Sequence, residues 1–169
     1  PQIEVDPKNG DVYALLTGDA PKFTNQKNTG IYLLESGAVS WKKLRDVVEY
    51  PSGVDTNYQL WYYPTSFAVD FSEGSDRSTL WLTDYENNGN WLATGIWKST
   101  NKGMNWKRVY QYTHPTSIVI DQKNPNNVFV NGIWDFDWGN GGLLFTKDGG
   151  ATWNNNSKIP YQHNSRSIT

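Results

Sequence analysis

The 169-residue sequence predicts an all-β fold built from propeller blades of four antiparallel strands, and three observations predict it. Three times a glycine opens a short apolar run that ends eleven residues later in tryptophan: Gly30 to Trp41, Gly95 to Trp106 and Gly142 to Trp153. A second anchor recurs upstream, where Asp6, Asp70 and Asp121 precede those tryptophans by 35, 36 and 32 residues. Between the anchors the apolar residues alternate or form short continuous runs bounded by turn residues, without helical periodicity. A period near 50 residues marks a repeat architecture in which neighbouring units bury each other's faces. Four short antiparallel strands per period is the composition of a propeller blade.

In chain order, the first repeat predicts strands at Ile3–Asp6, Val12–Leu16, Gly30–Glu35 and Ser40–Val47. The second predicts Ser66–Asp70, Thr79–Thr83, Gly95–Ser99 and Asn105–Tyr110. The third predicts Ser117–Asp121, an Asn/Pro turn at Gln122–Asn127 and a strand at Val128–Ile133. A loop at Trp134–Asn140, a strand at Gly142–Thr146, a tight turn at Lys147–Ala151 and a strand at Thr152–Asn155 complete it. The repeats occupy about 1–64, 65–115 and 116–164, and Ser167-Ile168-Thr169 matches Ser117-Ile118-Val119 where a fourth would begin. The expectation is therefore one partial propeller domain over 1–169, about three blades plus the start of a fourth, from a longer polypeptide. The remaining blades or another chain would close the ring.

Composition narrows the function classes. The net charge is −2 and the basic residues are scattered, so no footprint for nucleic acid or an anionic membrane is expected. Without cysteine there is no disulfide, thiolate zinc site or thiol nucleophile, and two isolated histidines do not make a metal site. No metal or cofactor is expected. Nine Trp and ten Tyr among many Asn and Gly suit an extracellular or cell-surface, turn-rich β protein that handles sugars.

The turn between the third and fourth strands of each repeat carries a family resemblance. Thr146-Lys147-Asp148-Gly149-Gly150-Ala151-Thr152-Trp153 resembles the Asp-box, or bacterial neuraminidase repeat, at every fixed position. Its aspartate accepts backbone N–H bonds, its glycine takes positive φ, and its tryptophan fills the space between strands. Ser99-Thr100-Asn101-Lys102-Gly103-Met104-Asn105-Trp106 is a second copy with Asn for Asp. In the first copy Leu34, Ser36 and Ala38 replace the hydroxyl residue, the Asp and the Gly, while Gly30, Ser40 and Trp41 hold. Asp-box propellers include sialidases, sortilin-type receptors, xyloglucan-hydrolysing glycoside hydrolases and photosystem assembly factors. The first turn and Gly95-Ile96-Trp97-Lys98-Ser99-Thr100 look most like the xyloglucanase group. A sialidase would need an arginine trio, but Arg45 and Arg108 fall in fourth strands, Arg77 in a turn, and only Arg166 remains.

Blade topology sorts the connections. Turns joining strands one to two and three to four share one face, which makes Asp148, Asn101 and Ser36 structural. The opposite face collects Trp134, Asp135, Phe136, Asp137 and Trp138 in one loop, and Asp84, Tyr85, Glu86 and Trp91 in another. Connections between repeats add Tyr58, Trp61, Tyr62 and Tyr63, with His114 and His163 in the later two. Aromatics beside carboxylates and amides suit a polysaccharide groove, because sugar rings stack on Trp and Tyr while Asp, Glu and Asn bind hydroxyls. Loops on a rigid scaffold are where function concentrates.

Substrate binding is therefore assigned to Trp134, Phe136, Trp138, Tyr85, Trp91, Tyr58, Trp61, Tyr62 and Tyr63. Glycoside hydrolysis needs two carboxyl groups, one with a raised pKa. Asp135 and Asp137, flanked by aromatics, are the candidate catalytic pair, followed by Asp84 and Glu86. The xyloglucanase resemblance implies that two propeller domains each supply an aspartate, so this segment would hold one at most. Asp84-x-Glu86-x-Asn88-Gly89 is not a calcium loop, since its twelfth position is Gly95. Asn155-Asn156-Ser157 is a glycosylation sequon, and neither histidine accompanies a nucleophile elbow. Two readings follow: a secreted propeller that binds, and in its full chain hydrolyses, β-glucan or xyloglucan; or a noncatalytic protein-interaction or assembly propeller.

Overall fold

The computed structural model describes residues 2–17, 30–44, 47–49, 64–84, 95–111, 114–132 and 142–156. The described chain is all-β. The first blade contains β1 (Gln2–Val5), β2 (Val12–Leu16), β3 (Gly30–Leu34) and β4 (Lys42–Lys43). After β5 (Val47–Glu49), the second contains β6 (Pro64–Val69), β7 (Leu80–Asp84), β8 (Gly95–Ser99) and β9 (Asn105–Tyr110). The third contains β10 (Pro115–Ile120), β11 (Val128–Gly132), β12 (Gly142–Thr146) and β13 (Asn154–Asn156). Within each blade the strands pair antiparallel in chain order.

The aspartate anchors end the first strands for one reason. The backbone N–H groups of Asp6, Asp70 and Asp121 bond to the carbonyls of Asp11, Thr79 and Asn127, closing the first turn of each blade. Their Oδ1 atoms each accept the N–H two residues on, from Lys8, Ser72 and Lys123, at 2.9 Å. This is the Asx turn, in which a short carboxylate substitutes for a backbone acceptor.

Burial follows strand alternation, and the second blade is covered on both faces. Phe67, Val69, Leu80, Leu82, Trp97 and Trp106 share a core with Tyr13, Leu15, Ile31 and Leu44 of the first blade. The opposite face sends Ala68, Trp81 and Ile96 into a second core with Ile118, Ile120, Val128, Val130 and Leu144 of the third. Hence β7 is buried at every position, while β1 alternates half-buried and exposed. Burying each large apolar side chain contributes about 1.5–3 kcal/mol. These two cores hold the blades in series.

Inner strands are also tied edge to edge. The Gln2 carboxamide takes both polar groups of Phe67, accepting its N–H at 3.0 Å and donating to its carbonyl at 2.7 Å. Glu4 accepts the Val69 N–H at 3.0 Å, and Gln122 of the third blade donates to the Val69 carbonyl at 2.9 Å. Side chains thus cap the unpaired edge of β6 from both neighbours, where an open strand edge would invite other pairing.

The fourth strand of the first blade differs from the predicted Ser40–Val47. It shortens to β4, and β5 instead pairs parallel with β9, placing Val47 opposite Asn105 on the outer edge of the second blade. Leu44 directs this crossing: its N–H bonds to the Ile31 carbonyl, and its side chain is buried against Gly103 of the next blade. The last strand starts at Asn154 rather than Thr152, because Asp148 takes both the N–H and the hydroxyl of Thr152 into the turn.

Candidate functional site

The two ends of each blade are distinguished by hydrogen bonds. At one end the first and third turns of every blade meet: Ser36 N–H to Asp11 Oδ1 at 2.7 Å, Lys102 N–H to the Ser78 carbonyl at 2.9 Å, and Gly149 N–H to the Asn126 carbonyl at 3.0 Å. At the other end the pairs Leu16–Gly30, Asp84–Gly95 and Gly132–Gly142 terminate the sheets. Chain connectivity therefore makes segments 17–29, 85–94 and 133–141 depart from this second end. Segments 50–63 and 112–113 rejoin it at Pro64 and Pro115, which pair with Asp84 and Gly132.

The residues assigned from sequence to binding and catalysis belong to these segments. Tyr58, Trp61, Tyr62, Tyr63, Tyr85, Trp91, Trp134, Asp135, Phe136, Asp137 and Trp138 lie outside the described residues, as do Glu86 and His163. The described stems show what anchors them. Gly95 has φ +152°, and a Cβ there would stand 2.3 Å from the Tyr110 carbonyl oxygen, so the chain can turn into β8 only with glycine. Thr65 and Thr83 hydroxyls lie 2.8 Å apart, and Thr65 also reaches the Pro115 carbonyl at 2.8 Å, tying two stems together. Asp84 is buried at the last position of β7, and His114 is half-buried just before β10. Tyr110, 37% exposed at the end of β9 and 5.7 Å from the Trp153 ring, is a further aromatic at this end, and its place inside a regular strand hides it from a search of the loops. Its position opposite Ile96, next to the stem glycine, is the signal that points to it.

At the turn end the chemistry is structural. Asp148 Oδ1 accepts the Thr146 hydroxyl at 2.7 Å and the Thr152 N–H at 2.9 Å, while Oδ2 accepts the Thr152 hydroxyl at 2.5 Å. The Thr152 and Thr146 donors hold its carboxyl far below the usual carboxylate range, so it stays ionised and cannot act as an acid. Asn101 repeats the pattern with its carbonyl oxygen, accepting from Asn105 N–H at 2.9 Å and the Ser99 hydroxyl at 3.0 Å. In the first blade, Asp11 supplies the carboxylate that Ser36 lacks, from across the blade. Trp41 is 47% exposed there, against 3% for Trp106.

Two charged groups sit at blade boundaries. Arg77 grips Asp6 through Nε at 2.6 Å and Nη2 at 3.0 Å, and the pairing depresses the Asp6 pKa. Arg77 is thereby committed to the scaffold. Glu4 lines a cavity of about 290 Å³ with Val5, Ala68, Phe71, Val119, Ile120 and Gln122, and burial pushes its carboxyl up to about 7. A raised carboxyl in a cavity is a general mark of functional groups. Here its oxygens accept the Val69 N–H and the Gln2 amide, so its position is that of a seam between blades. No group of three potential metal ligands occurs among the described residues.

No protein-family model matches the chain, and no curated protein matches it. Fifteen chains of solved structures do. Among them is the crystal structure of the GH74 xyloglucanase from Xanthomonas campestris, with a TM-score of 0.55 and 19% sequence identity. The match covers 89% of this chain and 19% of that one, so the present chain spans about a fifth of the enzyme's length. The shared feature is the fold, a run of propeller blades.

Proposed function

We propose that the chain forms part of a secreted or cell-surface Asp-box β-propeller that binds a polysaccharide of the β-glucan or xyloglucan type. The observation that carries this reading is the division of the blade ends. In all three blades the first and third turns bond to each other at one end, so the connections rich in Trp, Tyr and Asp leave from the opposite end. Sugar recognition needs aromatic platforms beside carboxylates and amides on a rigid support, and this sequence concentrates them there. The likeness of fold to a xyloglucanase supports the same class of ligand.

Affinity electrophoresis in gels containing xyloglucan or mixed-linkage β-glucan tests the reading. Retardation is expected, and Trp134→Ala with Trp138→Ala is expected to remove it. A protein that runs unretarded through every polysaccharide overturns the proposal in favour of a protein-interaction propeller. In a longer chain the same end is proposed to hydrolyse the glycan, with Asp135 or Asp137 supplying one of the two carboxyl groups. Release of reducing ends by the full-length protein, unchanged in both Asp135→Asn and Asp137→Asn, would exclude that role.

A further inference from the structure

The cavity beside Glu4 lies where β1, β6 and β10 run into their first turns, between Glu4, Ala68, Phe71, Ile120 and Gln122. It is therefore at the turn end of the blades, away from the segments rich in Trp and Tyr. Its volume of about 290 Å³ is at the small end of ligand pockets. Ala68 and Ile120 are buried, Phe71 is half-buried and Gln122 is exposed. Two polar side chains enter from the flanking blades and meet at one residue of β6. Glu4 Oε2 accepts the Val69 N–H at 3.0 Å, and Gln122 Nε2 donates to the Val69 carbonyl at 2.9 Å.

Both side chains keep acceptor capacity. Glu4 Oε1 takes the Gln2 amide at 3.1 Å and Oε2 the Val69 N–H, whereas a carboxylate offers about four acceptor positions. Gln122 Oε1 takes the Phe71 N–H at 2.8 Å and has a second lone pair. The charge of the site is also unbalanced. Among the described residues that line it, Glu4 is titratable and the others are apolar or amide. β6 and β10 carry no titratable side chain, and Tyr13, opposite Glu4 on β2, is kept neutral by burial that pushes its phenol up to about 12. Asp6 and Arg77 hold each other, Asp70 and Asp121 accept N–H groups of their own turns, and Lys8, Glu73 and Lys123 are exposed in the turns beyond. Burial accordingly pushes the Glu4 carboxyl up to about 7, since no cation in the cavity holds it ionised.

We propose that this cavity is a second ligand site, for a primary ammonium group on a short aliphatic chain. The ammonium donates to the Glu4 carboxylate and to Gln122 Oε1, and the chain lies against the apolar lining. The ligand supplies the counter-charge that the lining lacks, so binding ionises Glu4 and releases its proton to solvent. A carboxylate or carbonyl ligand matches less well, because it would need Glu4 protonated and would face a second acceptor in Gln122 Oε1. The site stands whether or not the segments at the opposite end bind sugar.

Titration of the isotopically labelled chain with n-butylammonium, followed by its amide resonances, tests the site. Saturable shifts are expected at Ala68, Val69, Phe71 and Gln122, and n-butanol is expected to produce none. The dissociation constant is expected to fall about tenfold per pH unit as pH rises toward 7 and to level off above it, because binding releases one proton. Glu4→Gln is expected to remove this pH dependence and to weaken binding at pH 8 roughly tenfold, the effect of losing a charge-assisted hydrogen bond. Should Glu4→Gln fail to fold, the wild-type pH profile decides alone. Acetyl-lysine amide distinguishes the source: binding tighter than that of n-butylammonium assigns a peptide side chain, and weaker binding assigns a free amine. Absence of saturable shifts at pH 8, an affinity independent of pH, or tighter binding of butanoate than of n-butylammonium overturns the proposal.

Discussion

Arg77 reaches across the first blade boundary to hold Asp6 by both carboxylate oxygens, at 2.6 and 3.0 Å. The arginine is preset for this. Its backbone takes φ +62°, its Nη1 donates to the carbonyls of Ser72 and Ser75, and its guanidinium lies 5.8 Å from the Phe71 ring centre. Asp6 is 1% exposed and also closes its own turn, so it is a buried charge whose cationic partner among the described residues is Arg77.

Breaking this pair should loosen the first blade from the second. Arg77→Ala leaves a buried carboxylate unpaired and is expected to cost about 1–3 kcal/mol in urea unfolding. Arg77→Lys is expected to recover only part, because an ammonium cannot donate to two oxygens in a fork. The Asp6 pKa is depressed in the fold, so its contribution is present above the ordinary aspartate range and disappears as pH falls through the lowered value. Full stability of Arg77→Ala at pH 7 would show that the pair contributes nothing.

Glu4 predicts the opposite pH dependence. Its carboxyl is raised from 4.5 to about 7 by burial, so folding binds a proton more tightly than the unfolded chain does. Its stabilising contribution is present below about 4.5 and is lost as pH rises through about 7. Unfolding free energy should therefore fall between those values, by at most about 1.4 kcal/mol per pH unit. Glu4→Gln keeps an acceptor for the Val69 N–H and should flatten the profile. A wild-type midpoint that stays level from pH 5 to 8 contradicts the assignment.

Asp148 and Asn101 form a natural comparison of the two acceptors in one turn. Asp148→Asn is expected to lower the thermal midpoint slightly, since Asn101 makes the equivalent bonds to Ser99 and Asn105. Asp148→Ala is expected to lower it clearly more, by exposing the Thr152 N–H and freeing the Thr146 hydroxyl. Neither change should alter retardation in xyloglucan gels, because the turn is at the other end of the blade.

Gly95→Ala is the sharpest test of the stem geometry. A methyl group at 2.3 Å from a backbone oxygen, on a residue at φ +152°, forces β8 and β9 apart. A loss of more than about 1 kcal/mol is expected. Because Gly95 also ends segment 85–94, weakened polysaccharide retardation should accompany it. An unaltered melting profile would mean that the chain enters β8 differently.

Much of the fold could be read directly because its determinants are local. Asp6, Asp70 and Asp121 bond to N–H groups two residues away, and Thr146 and Asp148 to groups within four, so fixed spacing along the chain reports the turn itself. The division into a turn end and a loop end followed from strand order. The candidate ligand residues were legible only as composition, since their positions fall in nonrepeating segments that lie outside the described residues. Tyr110 falls inside the predicted strand Asn105–Tyr110, and strand periodicity does not say which end of a strand is open.

By itself the sequence determined the three four-stranded repeats, most of their strand order and the structural character of the Gly-to-Trp repeat, since these rest on strand alternation and on turn hydrogen bonds between near neighbours in the chain. Tertiary structure alone decided how blades join: Gln2 capping Phe67, Arg77 clasping Asp6, and β5 leaving its own repeat for β9. Those contacts link residues roughly 55 to 70 positions apart and each is found once among the described residues, so no periodicity announces them. Their partners are chosen by which side chains the packed sheets bring within reach.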